Sequence, residues 1–298
     1  MTTHSELLAS LSDDEKAYLT QRSNQAGGRQ LLWHGSVIVF LAIGVVKLPA
    51  GWILQVPLGI ALVFLFTALH ECMHRTPFAT DRYSDWLANF ISLVLFLPSE
   101  WFRFFHFAHH RYTHQPDKDP ELETPLPDSL TSYLWYLTGL SVWWSQLSTL
   151  VRNASGKAEY TFVPKGGRPK VVREARVMLL IYLTLFAITI GTGSTVLIEI
   201  WLLPILLGQP FLRVYLLAEH RRCPHTRNMF ENTRTTYTHG LIRKLAWNMP
   251  YHVEHHAWPS VPFHRLPNLH KHTRIHLKET SNGYLDFHRS LVADLNQI

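Results

Sequence analysis

Eight histidines fall into three groups whose spacing suits metal chemistry: His70 and His74 in "HECMH", His106, His109 and His110 in "HFAHH", and His252, His255 and His256 in "HVEHH". On a helix, offsets of three and four residues share one face, so each H-x-x-H-H predicts three imidazoles delivered to one point. Eight ligands are too many for one ion that takes roughly four to six, and two ions fit better. Imidazole suits Zn, Cu, Fe and Ni alike, so spacing leaves the element open. Taken alone, "HECMH" also fits the H-E-x-x-H pattern of zinc metalloproteases, with Glu71 as general base. An intramembrane zinc metalloprotease would need an acidic third ligand in the usual L-D-G context, yet the chain holds no Asp-Gly dipeptide. It would also leave six box histidines unexplained.

Ligating histidines usually donate their second ring N–H to a carboxylate, which makes Glu71, Asp119, Glu121 and Glu254 candidates for fixing tautomers. For Asp119 and Glu121, solvation of a proline-rich loop is an equally good account. His114, four residues after His110, is expected beside the ligands rather than among them. His225, His264, His270, His272 and His276 read as surface groups or supports. Cys72 and Cys223 are soft enough to ligate, but passive packing is the simpler account. Both lie on the side assigned below to the reducing cytoplasm, which predicts no structural disulfide.

The elements that must position these groups are apolar runs. Four, at about 31–47, 52–69, 177–191 and 195–218, approach the length needed to cross a bilayer core of ~30 Å at ~1.5 Å per residue. They predict an all-α membrane protein with four transmembrane helices in two hairpins, interfacial helices, and a cytosolic His-rich cap over two metals. Residues 1–30 read as a cytosolic N-terminal arm, too polar and too long for a cleaved signal peptide, and 31–298 as the membrane domain. Of 28 basic residues, 12 lie between Arg75 and Arg176 and 11 between Arg221 and Arg289, while the hairpin turns "KLPAG" and "GTGST" hold one. By the positive-inside rule both termini and both long segments, and hence the site, are cytoplasmic. The net charge of +6 is mostly this bias, so nucleic-acid binding is not implied. The apolar stretch 86–98 is too short to span, and 132–151 is rich in Trp, Tyr and small polar residues, so both read as interfacial or re-entrant.

Of 19 histidines, 17 follow residue 69, all beyond the apolar runs. A metal transporter would instead line its spans with such groups. The second helix of each hairpin ends in histidine, at His70 and at His220, which brings the three boxes and both helix ends to one membrane face.

The order H-x-x-x-H, then H-x-x-H-H some thirty residues on, then H-x-x-H-H far downstream, resembles the membrane-bound fatty acid desaturase and hydroxylase superfamily. The resemblance covers roughly Trp52 to His272. The flanking "HHRYTHQPDKDPEL" and "NMPYHVEHHAWPSVPFHRLPNLH" look like bacterial members, which implies a bacterial inner membrane. The resemblance implies two non-haem Fe ions that use O₂ and two electrons on an acyl or lipid substrate. It also implies a ninth ligand, His220, at the end of the last span in "LLAEH". Desaturation and hydroxylation both begin by taking a hydrogen atom from an unactivated C–H bond, and the choice between them depends on sub-ångström placement of the chain. Trp101, Phe104, Phe105, Tyr251 and Trp258 lie beside the boxes and are candidates for an acyl channel, with core packing as the other reading. No fused haem stretch and too few cysteines for an iron–sulfur cluster imply an external electron donor of ferredoxin, rubredoxin or cytochrome b5 type.

Overall fold

Helix start signals and apolar periodicity account for most of the architecture. The computed structural model describes residues 3–296. Two short helices, α1 (His4–Ser10) and α2 (Asp13–Leu19), each open on a capping box, Thr3 with Glu6 and Ser12 with Glu15. They precede α3 (Asn24–Lys47), which ends before the "KLPAG" turn. The second run comprises α4 (Gln55–Val63) and α5 (Leu65–Met73), joined at Phe64. Next, α6 (Asp81–Leu95) and α7 (Ser99–Tyr112) meet at 102° about Phe96, which adopts the left-handed conformation. The short apolar stretch is therefore one arm of a bend, in keeping with a re-entrant or interfacial place. The aromatic segment is likewise two pieces, α8 (Leu130–Thr138) and α9 (Leu140–Ala154), neither long enough to cross. They divide at Gly139, whose φ of +69° and close approach to the Gln209 side chain leave no room for a Cβ.

The third run is α10 (Arg168–Thr192); a π-helical turn at Ile198–Leu202 then leads into α11 (Leu203–His220). Four runs, Asp13–Lys47, Gly51–Met73, Arg168–Thr192 and Ile198–His220, are long and apolar enough to cross a membrane. The helices overrun the apolar stretches read from sequence because the polar residues at their ends remain helical. This overrun carries His70 on α5 and His220 on α11 beyond the apolar core. Large side chains on α3 and α10, such as Phe40 (76% exposed) and Phe186 (66%), point outward with no protein cover. An apolar surface that broad suits lipid and not water, so the chain reads as an integral membrane protein.

Beyond α11 the chain forms a cap of short pieces: α12 (Met229–Asn232), α13 (Gly240–Leu245), α14 (His252–Ala257), α15 (Leu266–Thr273) and α16 (Tyr284–Leu295). A two-residue parallel pair, β1 (Thr235–Thr236) with β2 (Thr280–Ser281), pins its two halves together. The N-terminal arm packs onto this cap, with Leu19 buried and Arg265 over the Tyr18 ring at 4.0 Å, and Arg22 ties the arm to the start of α6 through Asp81. His34, the one histidine inside an early span, is structural. Its Nε2 meets the Ala61 carbonyl at 2.8 Å and its Nδ1 accepts from Trp247 Nε1 at 3.1 Å, linking α3 to α4 and to the cap.

The second and fourth spans cross where glycine faces glycine. A Cβ on Gly59 would lie 1.9 Å from the Pro204 carbonyl oxygen, and one on Gly208 would lie 2.2 Å from the Gly59 carbonyl carbon. Small residues let spans approach this closely, and the approach sets the spacing of the helix ends that bear His70 and His220. Gly208→Leu is expected to lower thermal stability in detergent by about 1–3 kcal/mol through overpacking. Unfolding curves of the purified variant check this, and an unchanged midpoint would contradict the close crossing.

Candidate metal centre

Box one rides on the last turn of α5 with His74 as its C-cap, box two on α7, box three on α14, and His220 closes α11. Each of these elements turns sharply near its histidines: Arg75, His114, Arg222 and Asn248 all adopt positive φ. Left-handed non-glycine residues are costly and cluster at functional sites. The N-terminus of α7 is held by Glu174 of α10, whose carboxylate accepts from the backbone N–H groups of Ser99 and Glu100, each at 2.8 Å. A span thereby anchors the helix that carries box two.

The structure gathers all eight box histidines and His220 at one end of the spans, and it divides them in two. His70 packs against His106 (ring centroids 4.2 Å) and His255 (4.5 Å), and His74 against His106 (4.7 Å) and His110 (4.6 Å). The second group is His109, His220, His252 and His256, with neighbouring centroids at 4.5–4.9 Å. His110 and His256 stack at 4.1 Å where the groups meet. The expectation that each H-x-x-H-H aims three imidazoles at one point is corrected: His106 and His110 go to one group and His109 to the other, His255 to the first and His252 and His256 to the second. Consecutive helical residues are ~100° apart, so His109 and His110 cannot face the same point.

Metal fit is testable on distances. His74 Nε2 lies 2.7 Å from His106 Nε2 and 3.3 Å from His110 Nε2, His255 Nε2 lies 3.1 Å from His110 Nε2, and His252 Nε2 lies 3.1 Å from His220 Nε2. Two nitrogens each ~2.1 Å from one ion at a right angle would be ~3 Å apart, whereas bare lone pairs at that range repel. His70, His106, His110 and His255 present one ligand-competent set, and His109, His220 and His256 another. Burial, and then neighbouring imidazoles, hold His106, His110, His252 and His256 well below the usual histidine range, so they are neutral, the form that binds metal. His109 differs. Burial opposes its charge, but Glu121 and Asp119 outweigh burial and raise it to about 10.

The outward-facing nitrogens of His109, His220 and His256 meet oxygens. His109 Nδ1 lies 3.0 Å from Asp119 Oδ1 and 3.0 Å from Glu121 Oε2. His220 Nδ1 is 3.2 Å from the Asn232 carbonyl, and His256 Nδ1 is 3.2 Å from Thr113 Oγ1. Glu71 is fully buried, accepts from Thr76 Oγ1 at 2.8 Å and from the Phe263 N–H at 3.1 Å, and stands 3.5 Å from His255 Nδ1. Glu254 does not touch a box imidazole. It bonds His270 Nδ1 (2.5 Å) and the hydroxyls of Thr235 (2.6 Å) and Thr273 (2.7 Å), so it secures α14 rather than a tautomer. His114 is buried outside both groups, stacked on His225 at 4.9 Å. Sequence reasoning missed Glu219, which faces His252 Nδ1 at 3.4 Å. An ionisable residue at the end of a span was the available signal.

Among the other candidates, Trp101 stacks on Phe105 and both pack on Phe162, while Tyr251 packs on His270. Cys72 and Cys223 are buried and free.

A family model described as fatty acid desaturase matches residues 28–287. A sphingolipid delta(4)-desaturase/C4-monooxygenase of Mus musculus is 28% identical over 216 residues, covering 70% of this chain and 60% of the relative. A sphingolipid delta(4)-desaturase of Mus musculus is 29% identical over 212 residues, covering 68% and 59%. A delta(4)-desaturase-like protein of Oryza sativa subsp. japonica is 24% identical over 215 residues, covering 68% and 57%. The chain thus spans about three fifths of the length of these relatives.

Proposed function

The chain belongs to the fatty acid desaturase family, and from that premise we propose that it is an O₂-dependent di-iron oxidoreductase that desaturates the acyl chain of a lipid. The observation that carries this reading is the division of nine imidazoles into two adjoining groups with ligand-to-ligand spacing. One iron is assigned to His70, His74, His106, His110 and His255, the other to His109, His220, His252 and His256. Two ferrous ions supply the binding and reduction of O₂, chemistry that no side chain provides. The chain's own residues do the rest. Asp119 with Glu121, Asn232 and Thr113 hold the outer nitrogens of His109, His220 and His256, which keeps the inner ones aimed, while Glu219 and Glu71 stand 3.4 and 3.5 Å from those of His252 and His255. The buried cap, with Trp247 and Phe230 at its core, keeps water from the site.

Desaturation removes two hydrogens from neighbouring carbons and, with O₂, two electrons and two protons, yields a double bond and two waters. Hydroxylation is the second reading, favoured by the paired desaturase/monooxygenase activity that one relative's name prints; it inserts one oxygen and releases one water. The electrons come from an external donor of ferredoxin, rubredoxin or cytochrome b5 type. The charge distribution supports a cytoplasmic site and termini, at an inner membrane if the host is bacterial.

Protein purified anaerobically with iron supplied is expected to carry close to two iron atoms per chain. With a reductase system and O₂, lipid mass spectrometry should then show loss of two mass units from an acyl chain, or gain of one oxygen. Full activity with stoichiometric zinc would overturn the reading. Zinc acquired during ordinary overexpression would not, because it outcompetes Fe(II) at nitrogen sites.

A further inference from the structure

Two helices of the cap are tied to spans at a depth where those spans are already apolar. On α13, the Lys244 carbonyl accepts from Gln30 Nε2 at 2.6 Å, and the Lys244 ammonium lies 4.4 Å from the centroid of the Trp33 ring. Just past α13, Trp247 donates to His34. These partners straddle Leu31, where the first apolar run begins. That run rises ~25 Å, short of a ~30 Å bilayer core, so the core reaches its ends. The other helix, α16, is set as deep. His288 Nε2 donates to the Val214 carbonyl at 2.8 Å, about four residues or ~6 Å inside the end of the fourth run, and its Nδ1 accepts from Tyr133 of α8 at 2.9 Å.

Both helices expose large apolar side chains at this depth: Leu241 on α13 is 70% exposed and Leu285 on α16 is 64%. Tyr237, also exposed, links them, because its N–H donates to the Ser281 carbonyl at 2.8 Å and so joins the segments that lead into α13 and α16. Arg243 and Lys244 follow Leu241, a pairing of apolar and basic side chains that suits a lipid surface. On α3, at the same level, Leu32 is exposed as well, so the rim continues the lipid-facing surface of that span. Ile275 makes the contrast. At 77% it is more exposed than either leucine, yet its segment is tied away from the spans, with His276 stacked on Phe230 and Phe230 against His4 of α1.

We propose that the cap is seated in the membrane and not held above it: Leu241, Leu285 and Tyr237 insert among the lipids of the leaflet at the metal-centre end of the spans. The part of the chain expected to lie wholly in the cytosol thus has an underside in the bilayer, and only its far side, with Ile275, meets water.

Cysteine labelling reads this depth. Cys72 and Cys223 are buried, so in the folded protein an environment-sensitive nitrobenzoxadiazole probe goes to Leu241→Cys, Leu285→Cys or Ile275→Cys alone. Each labelled protein is placed in phosphatidylcholine nanodiscs that carry nitroxide high on a fraction of the lipid tails, and separately exposed to iodide in the water. At positions 241 and 285 the emission is expected to shift to shorter wavelength and to fall with the lipid-borne nitroxide, while iodide leaves it unchanged. At position 275 the two quenchers should exchange roles. Quenching by iodide alone at 241 and 285 overturns the proposal. Emission that neither quencher reaches, the result if a second copy or another protein covers this rim, overturns it too. So does a probe at 275 that behaves like the one at 241, since exposure alone would then decide. A second measurement needs no substitution: a diazirine on the lipid tail, photolysed in nanodiscs of the wild type, should tag peptides covering 237–245 and 284–288 and spare 272–278, and the reverse pattern would sink the assignment.

Discussion

Alanine at any box histidine is expected to reduce turnover to background while leaving the protein inserted in the membrane. His106 shows why. Its ring contacts His70 at 4.2 Å and its Nε2 lies 2.7 Å from His74 Nε2, so its removal opens one side of the first group and leaves the second untouched. Loss of a partner one shell out costs ~10–100-fold in metal affinity or activity, and loss of a ligand should exceed that. The spans owe their stability to lipid-facing side chains and to the Gly59–Gly208 crossing, not to this cluster, so yield and insertion should hold. The two-group assignment adds a finer expectation: His106→Ala should lose iron from one group and His256→Ala from the other, each retaining about one iron per chain. His220→Ala should be severe. His114→Ala should be partial, since His114 stands outside both groups. Iron analysis with turnover assays on the set checks this. Near-normal turnover in three or more box variants would refute the ligand assignment.

Much of this site was legible as spacing, because H-x-x-H-H is a local pattern and a helix converts it directly into geometry. The apolar runs likewise fixed which helix ends share a face, and the break in residues 132–151 follows from composition that suits an interface better than a core. The division of each box was less legible, since it depends on which of two adjacent imidazoles turns toward which partner, and His255 and His256 are oriented by contacts from α5 and α7. Glu219, Asn232 and Thr113 reach their imidazoles across long stretches of chain or through a backbone carbonyl, and no periodicity encodes that. Glu254 looked equivalent to Glu71 in the sequence, yet α14 turns it away toward His270, Thr235 and Thr273.

Glu71→Gln tests the one alternative that "HECMH" raises by itself. In a zinc protease this residue activates the attacking water, and loss of a general base typically costs ~10²–10⁴-fold even with the metal bound. Here the carboxylate has no exposure, accepts from Thr76 Oγ1 and the Phe263 N–H, and lies on the outer side of His255, 3.5 Å from Nδ1. It faces away from the inner nitrogens, so it cannot deliver a proton to anything bound between them. Glutamine keeps the size and one acceptor oxygen but removes the charge beside His255 Nδ1, so the expected loss is at most that of an orienting partner, ~10–100-fold. The variant should retain measurable oxidation of an acyl chain that requires both O₂ and reductant. The wild type should hydrolyse no peptide when O₂ is absent. Anaerobic proteolysis by the wild type that vanishes in Glu71→Gln would restore the protease and remove the basis for assigning two irons. Residual O₂-dependent turnover by the variant would exclude Glu71 as an essential general base.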